Sequence, residues 1–310
     1  GPGRDYKQAI GHHLEAIKLA MPLATNRRFA VRRLAKRVLI DAHLAVASDI
    51  ALGDWRRKEE VVPKWLLRGG AFAQEMIAND HGDAGLMLLV HRKSLSVYAE
   101  LQGVIDPTTA ADKAIEEGRS LITGASDPMY KNQIEWELGM ALLDALRIEH
   151  ARGKHDQALR YSNSAMALLE RYAGQRQSTP PDTYTLGRGY FLIGSIHAVQ
   201  KHDHREAVGW YEKALPLLSE TLLVATGAGR GRHGEQLVSI GLSYWEAGRK
   251  DEGRQLTERG VVGVERTSVD SGRLHDPLDG LEDRPTGPLR PDVDRSAVRG
   301  ARCRSAPPKP

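Results

Sequence analysis

Apolar residues recur at three- and four-residue spacings along most of this chain, roughly from residue 5 to residue 263, which predicts helices rather than strands. The clearest stretch is residues 190–218, YFLIGSIHAVQKHDHREAVGWYEKALPLL, which reads as two antiparallel helices. Tyr190, Phe191, Ile193, Trp210, Tyr211, Leu215 and Leu218 supply bulk, and Gly194, Ala207 and Ala214 are the small residues between them. Small residues at facing positions let helix axes approach to about 8–10 Å, so that the large side chains interlock around them. Asp203 is expected to cap the second helix, with Glu206 three residues on.

The same order of small and bulky positions is found four times. Ala99 goes with Ala111, Ile115 and Gly118; Ala145 with Ala158, Ser162 and Ala165; Gly194 with Ala207, Tyr211 and Ala214; Gly241 with Gly253, Thr257 and Gly260. The leading residues are 46, 49 and 47 positions apart. A steady period of this size marks a solenoid, in which each hairpin buries its apolar face against its neighbours.

Tyr190, Ile193-Gly194, Ala207, Tyr211 and Ala214 resemble the tetratricopeptide repeat family, and Leu237, Ile240-Gly241 and Tyr244 repeat the first half of that pattern. The resemblance covers roughly residues 5–263 and is strongest over 184–262, with a period longer than the family's usual length of about 34 residues. It implies an all-α fold, a right-handed α-solenoid of antiparallel helix hairpins, working as a protein-interaction scaffold whose first helices line a concave groove. The positions that match that lining include Leu142, Leu146, His150, Arg188, Phe191, Ser195, Val238 and Trp245. They form a mixed, mainly apolar surface suited to a protein or peptide partner in extended or helical form. The Lys and Asn clamp that some relatives use for a terminal carboxylate is missing, because its positions hold Ser96 with Glu100, Leu142 with Leu146, and Phe191 with Ser195.

Elsewhere the pattern predicts further helices. Residues 5–21 read either as the second helix of a repeat lacking its first, through Ala9, His13 and Ala16, or as a single capping helix. Residues 26–52 form a long helix whose first turns place Arg28, Arg32 and Lys36 in one stripe with Arg33 beside it. Such a stripe defines a second functional reading, a regulator that binds an acidic ligand or nucleic acid, set against a solvated face partly neutralised by Glu59 and Glu60. No aromatic residue interleaves the cations for base stacking, which argues against single-stranded nucleic acid. A second helix follows over 53–77, where Pro63 is expected to kink or restart it. Hairpins over 84–122 and 130–171 are expected to turn at Asp106-Pro107 and Gly153-Lys154, and 175–185 reads as a polar loop whose Pro180-Pro181 stops the preceding helix.

Composition narrows the picture. With 310 residues, 41% hydrophobic and 27% charged, the chain is globular in type, and a net charge of +4 does not by itself imply nucleic acid. Residues 266–310 hold seven of the fifteen prolines, eight arginines and no aromatic, so a helical repeat domain over 1–265 and a disordered Arg/Pro-rich tail are expected. Cys303 is the single cysteine, which rules out an intramolecular disulfide and fits a reducing, cytoplasmic compartment. No apolar run is long enough to span a membrane. The chain opens Gly1-Pro2-Gly3 rather than with Met, so the native start is expected to be missing or processed.

Candidate chemistry is sparse. Gly229, Gly231 and Gly234 fit G-x-G-x-x-G, but a dinucleotide site needs a strand before that turn, and the rhythm of TLLVAT is helical. A loop there would offer Arg230, Arg232 and His233 to an anion. His197, His202 and His204 cluster near one expected turn, and His150 and His155 near the preceding one, where polar residues serve structure without a metal. No catalytic motif is present, and neither cofactor nor metal is expected. The sequence carries no signal of oligomeric state.

Overall fold

The computed structural model describes residues 5–175, 179–220 and 227–272. Eleven α-helices and one 3₁₀ turn make up the regular structure of these residues, with no strand among them. α1 is Tyr6–Ala20 and leads through the 3₁₀ turn Met21–Leu23 into α2, Phe29–Leu52. Five antiparallel hairpins follow in chain order. α2 pairs with α3 (Lys58–Asn79), α4 (Leu86–Ala99) with α5 (Thr108–Gly124), and α6 (Pro128–Ala151) with α7 (His155–Gln175). α8 (Pro180–Gln200) pairs with α9 (His204–Glu220), and α10 (Gly227–Glu246) with α11 (Lys250–Gly272).

Local chemistry places the helix ends. Asp127 Oδ1 accepts from Met129 N at 3.0 Å with Pro128 in the first turn, so α6 starts where a missing proline N–H costs nothing. Asp203 caps α9 through Glu206 N at 3.0 Å, as its spacing predicts. The Pro-Pro pair opens α8 instead of closing α7. Thr179 and Asp182 form a reciprocal capping box around it, so the helix begins ten residues before the stretch that the apolar pattern marks most clearly. Pro63 lies in the second turn of α3 and removes one backbone bond, yet the helix continues through it to Asn79. Three hairpin turns use glycine at positive φ: Gly103, Gly153 and Gly248 sit at φ 80°, 74° and 90°, and in the last two Lys154 N and Arg249 N bond back to Glu149 O and Tyr244 O.

The core is a chain of neighbouring clusters. One joins α1 to α2, a second joins α2, α3 and α4, the largest runs from α4 to α8, and the last links α8, α9, α10 and α11. The small-residue positions meet as their order predicts. A Cβ at Gly194 would come within 2.6 Å of the Tyr211 ring, and Gly241 faces Gly253 and Thr257. Ala145, Ala158 and Ser162 are all buried. α1 packs on α2 as the second helix of each hairpin packs on the first helix of the next.

The architecture is therefore an all-α solenoid of helical hairpins. Its first helices also touch one another in sequence, α2 with α4, α4 with α6, α6 with α8 and α8 with α10, whereas among the described residues α3, α5, α7 and α9 make no mutual contacts. A stack that brings one row of helices together and spreads the other curves toward the closer row, so α2, α4, α6, α8 and α10 form the inner row. α11 runs to Gly272, past the boundary expected at residue 265, and the remainder of the expected tail lies outside the described residues.

Candidate interaction face

The inner row is ionic where three of its helices meet. Arg92 on α4 pairs with Glu137 on α6. Arg147 on α6 donates to Asp144 at 3.0 Å and reaches Glu100, just beyond α4, at 3.3 Å. Burial raises the pKa of Asp144 against the pull of Arg147, Arg188 and Arg92. Lys93 is exposed, with Arg92, Glu137, Asp41 and Asp144 as its charged neighbours. Partial desolvation, then Arg92, lowers its pKa. Arg188 on α8 is half-buried beside Arg147, Asp144, Glu100 and Tyr184; burial, then Arg147, lowers its pKa. Among the described residues neither Lys93 nor Arg188 closes an ion pair, whereas Arg92 and Arg147 do.

This face differs from the mainly apolar lining expected from the sequence. Leu142 and Leu146 are 1% and 0% exposed and belong to the largest core cluster, because α6 is covered by α4, α5, α7 and α8. His150 turns to His155 across the α6–α7 turn, their Nδ1 atoms 3.0 Å apart. Phe191 stacks on Tyr211 within its own hairpin, ring centroids 5.7 Å apart, and Ser195 lies beside the Tyr211 hydroxyl. Val238 packs against Gly260 of α11, and Trp245, although 41% exposed, sits at the α10–α11 turn under Lys250. Of the eight expected lining residues, Arg188 is the one joined electrostatically to charged groups of the neighbouring inner helices. Arg92, Lys93, Glu137, Asp144 and Arg147 escaped the sequence reading. The signal for the α6 part was a polar stripe, since Glu137, Asp144 and Arg147 fall on one face of that helix.

The basic stripe of α2 is divided. Lys36 is 2% exposed and donates to Asp80 and Glu75, each at 2.6 Å, and Arg32 Nε donates to Asp80 at 2.5 Å. Arg28 and Arg33 stay exposed. Two of the four cations are thus spent on holding α2 to the end of α3. Acids from that segment pair with them, not Glu59 and Glu60; Glu60 instead meets Arg57.

The G-x-G-x-x-G residues lie within α10 rather than in a loop, and no strand precedes them among the described residues. His204 turns toward Ser243 of α10 at 3.3 Å. No three His, Cys, Asp or Glu side chains converge as a metal site among the described residues. None of the described helices is long and apolar enough to cross a membrane.

The fold and this face define a helical-repeat protein. In fold the chain is similar to the solved structure of BtubC (BKLC) from P. vanneervenii, with a TM-score of 0.61 at 15% identity over 92% of this chain and 98% of that one. No family model matches the sequence, and no curated protein matches it either.

Proposed function

We propose that this protein is an interaction scaffold of tetratricopeptide type that takes a peptide segment or partner helix along its inner row. The observation that carries this reading is the charged strip over α4, α6 and α8. Its side chains occupy the inside of a curved stack, where an elongated ligand touches several repeats at once. The cations that α2 contributes to its own packing leave less for a ligand there, which weighs against the basic-helix reading.

Hydrogen exchange of the full chain, with and without a partner captured by it, tests the assignment. Protection is expected in α4, α6 and α8. Protection confined to α5, α7 and α9, or to the exposed cations Arg28 and Arg33, would overturn it.

A further inference from the structure

Backbone geometry at the α6–α7 turn brings two histidines together. His150 lies in the last turn of α6 and His155 opens α7, and the link between them is tight. Gly153 takes φ 74°, its N–H donates to His150 O at 3.0 Å, and Lys154 N donates to Glu149 O at 2.9 Å. The two Nδ1 atoms are held 3.0 Å apart, with ring centroids at 5.1 Å. As neutral rings they share one proton there, one nitrogen donating and the other accepting. Spacing alone predicted polar turn residues that need no metal; the turn does more, because it pairs their nitrogens.

Metal–imidazole bonds are about 2.0–2.1 Å long, so two nitrogens at this separation subtend roughly 90–100° at a common ion. That is the cis angle of square-planar and octahedral coordination, whereas a tetrahedral ion such as Zn²⁺ needs the nitrogens further apart. We infer that His150 and His155 form a binding site for a divalent ion of the copper and nickel class, which takes the place of the shared proton. The ring that held this proton on Nδ1 carries it on Nε2 instead, so the neutral pair loses none. His155 lines a cavity of about 440 Å³ together with Glu149, Lys154, Asp156 and Arg160, which gives an ion its way in and the ring room to tilt toward it. The surrounding charges balance. Arg152 pairs with Asp106 and Glu149, Lys154 lies 3.6 Å from Asp106, and Asp156 stands against Arg160 on the cavity wall. The carbonyl end of α6 favours a cation and the N–H end of α7 opposes it. No third His, Cys, Asp or Glu joins the pair among the described residues, so water completes the coordination and the affinity is that of two ligands, in the micromolar range. The inference does not rest on the inner-face reading.

The test is calorimetric titration of copper(II) and nickel(II) chloride into the full chain, free of any affinity tag, at pH 8. It uses the wild type, His150→Gln, His155→Gln and, as an exposed control on α1, His12→Gln. Circular dichroism checks that each variant is folded. The expected result is one ion per chain, bound more weakly by on the order of tenfold or more in either turn variant and equally well in His12→Gln. The copper(II) paramagnetic resonance spectrum is expected to show coupling to two nitrogens in the wild type and to fewer in each turn variant. Nickel should raise the melting temperature of the wild type and leave that of His155→Gln unmoved. Binding that is unchanged in both turn variants places the ion on other histidines and overturns the site, as does no binding at millimolar nickel. A wild-type copper spectrum with coupling to a single nitrogen overturns the chelate, and zinc bound more tightly than nickel overturns the ion class.

Discussion

Lys36 Nζ donates to Asp80 Oδ2 at 2.6 Å with both side chains out of solvent, 3% and 0% exposed, joining the second turn of α2 to the end of α3. Burial works against both charges. The hydrogen bonds to Asp80 and Glu75 more than offset it for Lys36, whose pKa is raised, and those from Lys36 and Arg32 do so for Asp80, whose pKa is lowered.

Removing one partner strands the other. Asp80→Ala leaves Lys36 buried without its main acceptor and is expected to cost about 3–5 kcal/mol in urea unfolding. Replacing both, Lys36→Met with Asp80→Leu, is expected to stay within about 1 kcal/mol of the wild type. Because the pKa of Asp80 is depressed, its contribution is present above its unfolded value near 3.8 and is lost as pH falls through the lower folded value.

Two glycines on neighbouring helices respond to alanine with opposite signs. At Gly194 a Cβ meets the Tyr211 ring at 2.6 and 2.8 Å, so Gly194→Ala is expected to destabilise by about 1–3 kcal/mol. At Gly209, exposed within α9 with nothing in reach of a Cβ, Gly209→Ala is expected to stabilise by about 0.5–1 kcal/mol. Thermal melts of the two variants check both signs.

Four histidines are held toward the neutral form. Burial lowers the pKa of His43, which lies against Trp65 and Phe72, and that of His150 and His233. Burial and Lys113 push His91 down to about 4. In the unfolded chain each takes up a proton near pH 6.5, before the folded form does, so stability present above 6.5 falls as pH drops toward 4. Melts at pH 7 and pH 5 are expected to differ by several degrees, roughly what 1–2 kcal/mol produces in a chain of this size. His91→Gln should reduce that difference.

Asp144 works in the other direction. Burial raises its pKa, so its charge opposes folding above its unfolded pKa near 3.8, and stability is regained as pH falls through the folded value. Asp144→Asn keeps an oxygen for Arg147 and removes the charge. It is expected to leave stability at pH 8 unchanged or higher by up to about 1 kcal/mol. A loss beyond that would show that the Arg147 ion pair outweighs desolvation.

Much of the fold was legible because its causes are local. Apolar spacing located the helices, Asp203 marked the start of α9, and the four sets of small residues marked the facing positions that Gly194 with Tyr211 and Gly241 with Gly253 occupy. Capping at Thr179 is equally local, and it was missed because Pro-Pro was read as a stop signal rather than as a first turn.

The inner face was not legible in the same way. Leu142 and Arg188 both fall at lining positions by repeat alignment, yet one is enclosed by four helices and the other meets charged groups of the neighbouring inner helices. Lys36 and Arg28 share a stripe, and only the first finds Asp80, 44 residues further along the chain. The sequence by itself determined the helices, their turns and the small-residue contacts within each hairpin, because those depend on residues a few turns apart. Tertiary structure alone decided which charges are spent on packing and which remain exposed. That outcome depends on the register between helices tens of residues apart, where a shift of one turn changes every partner.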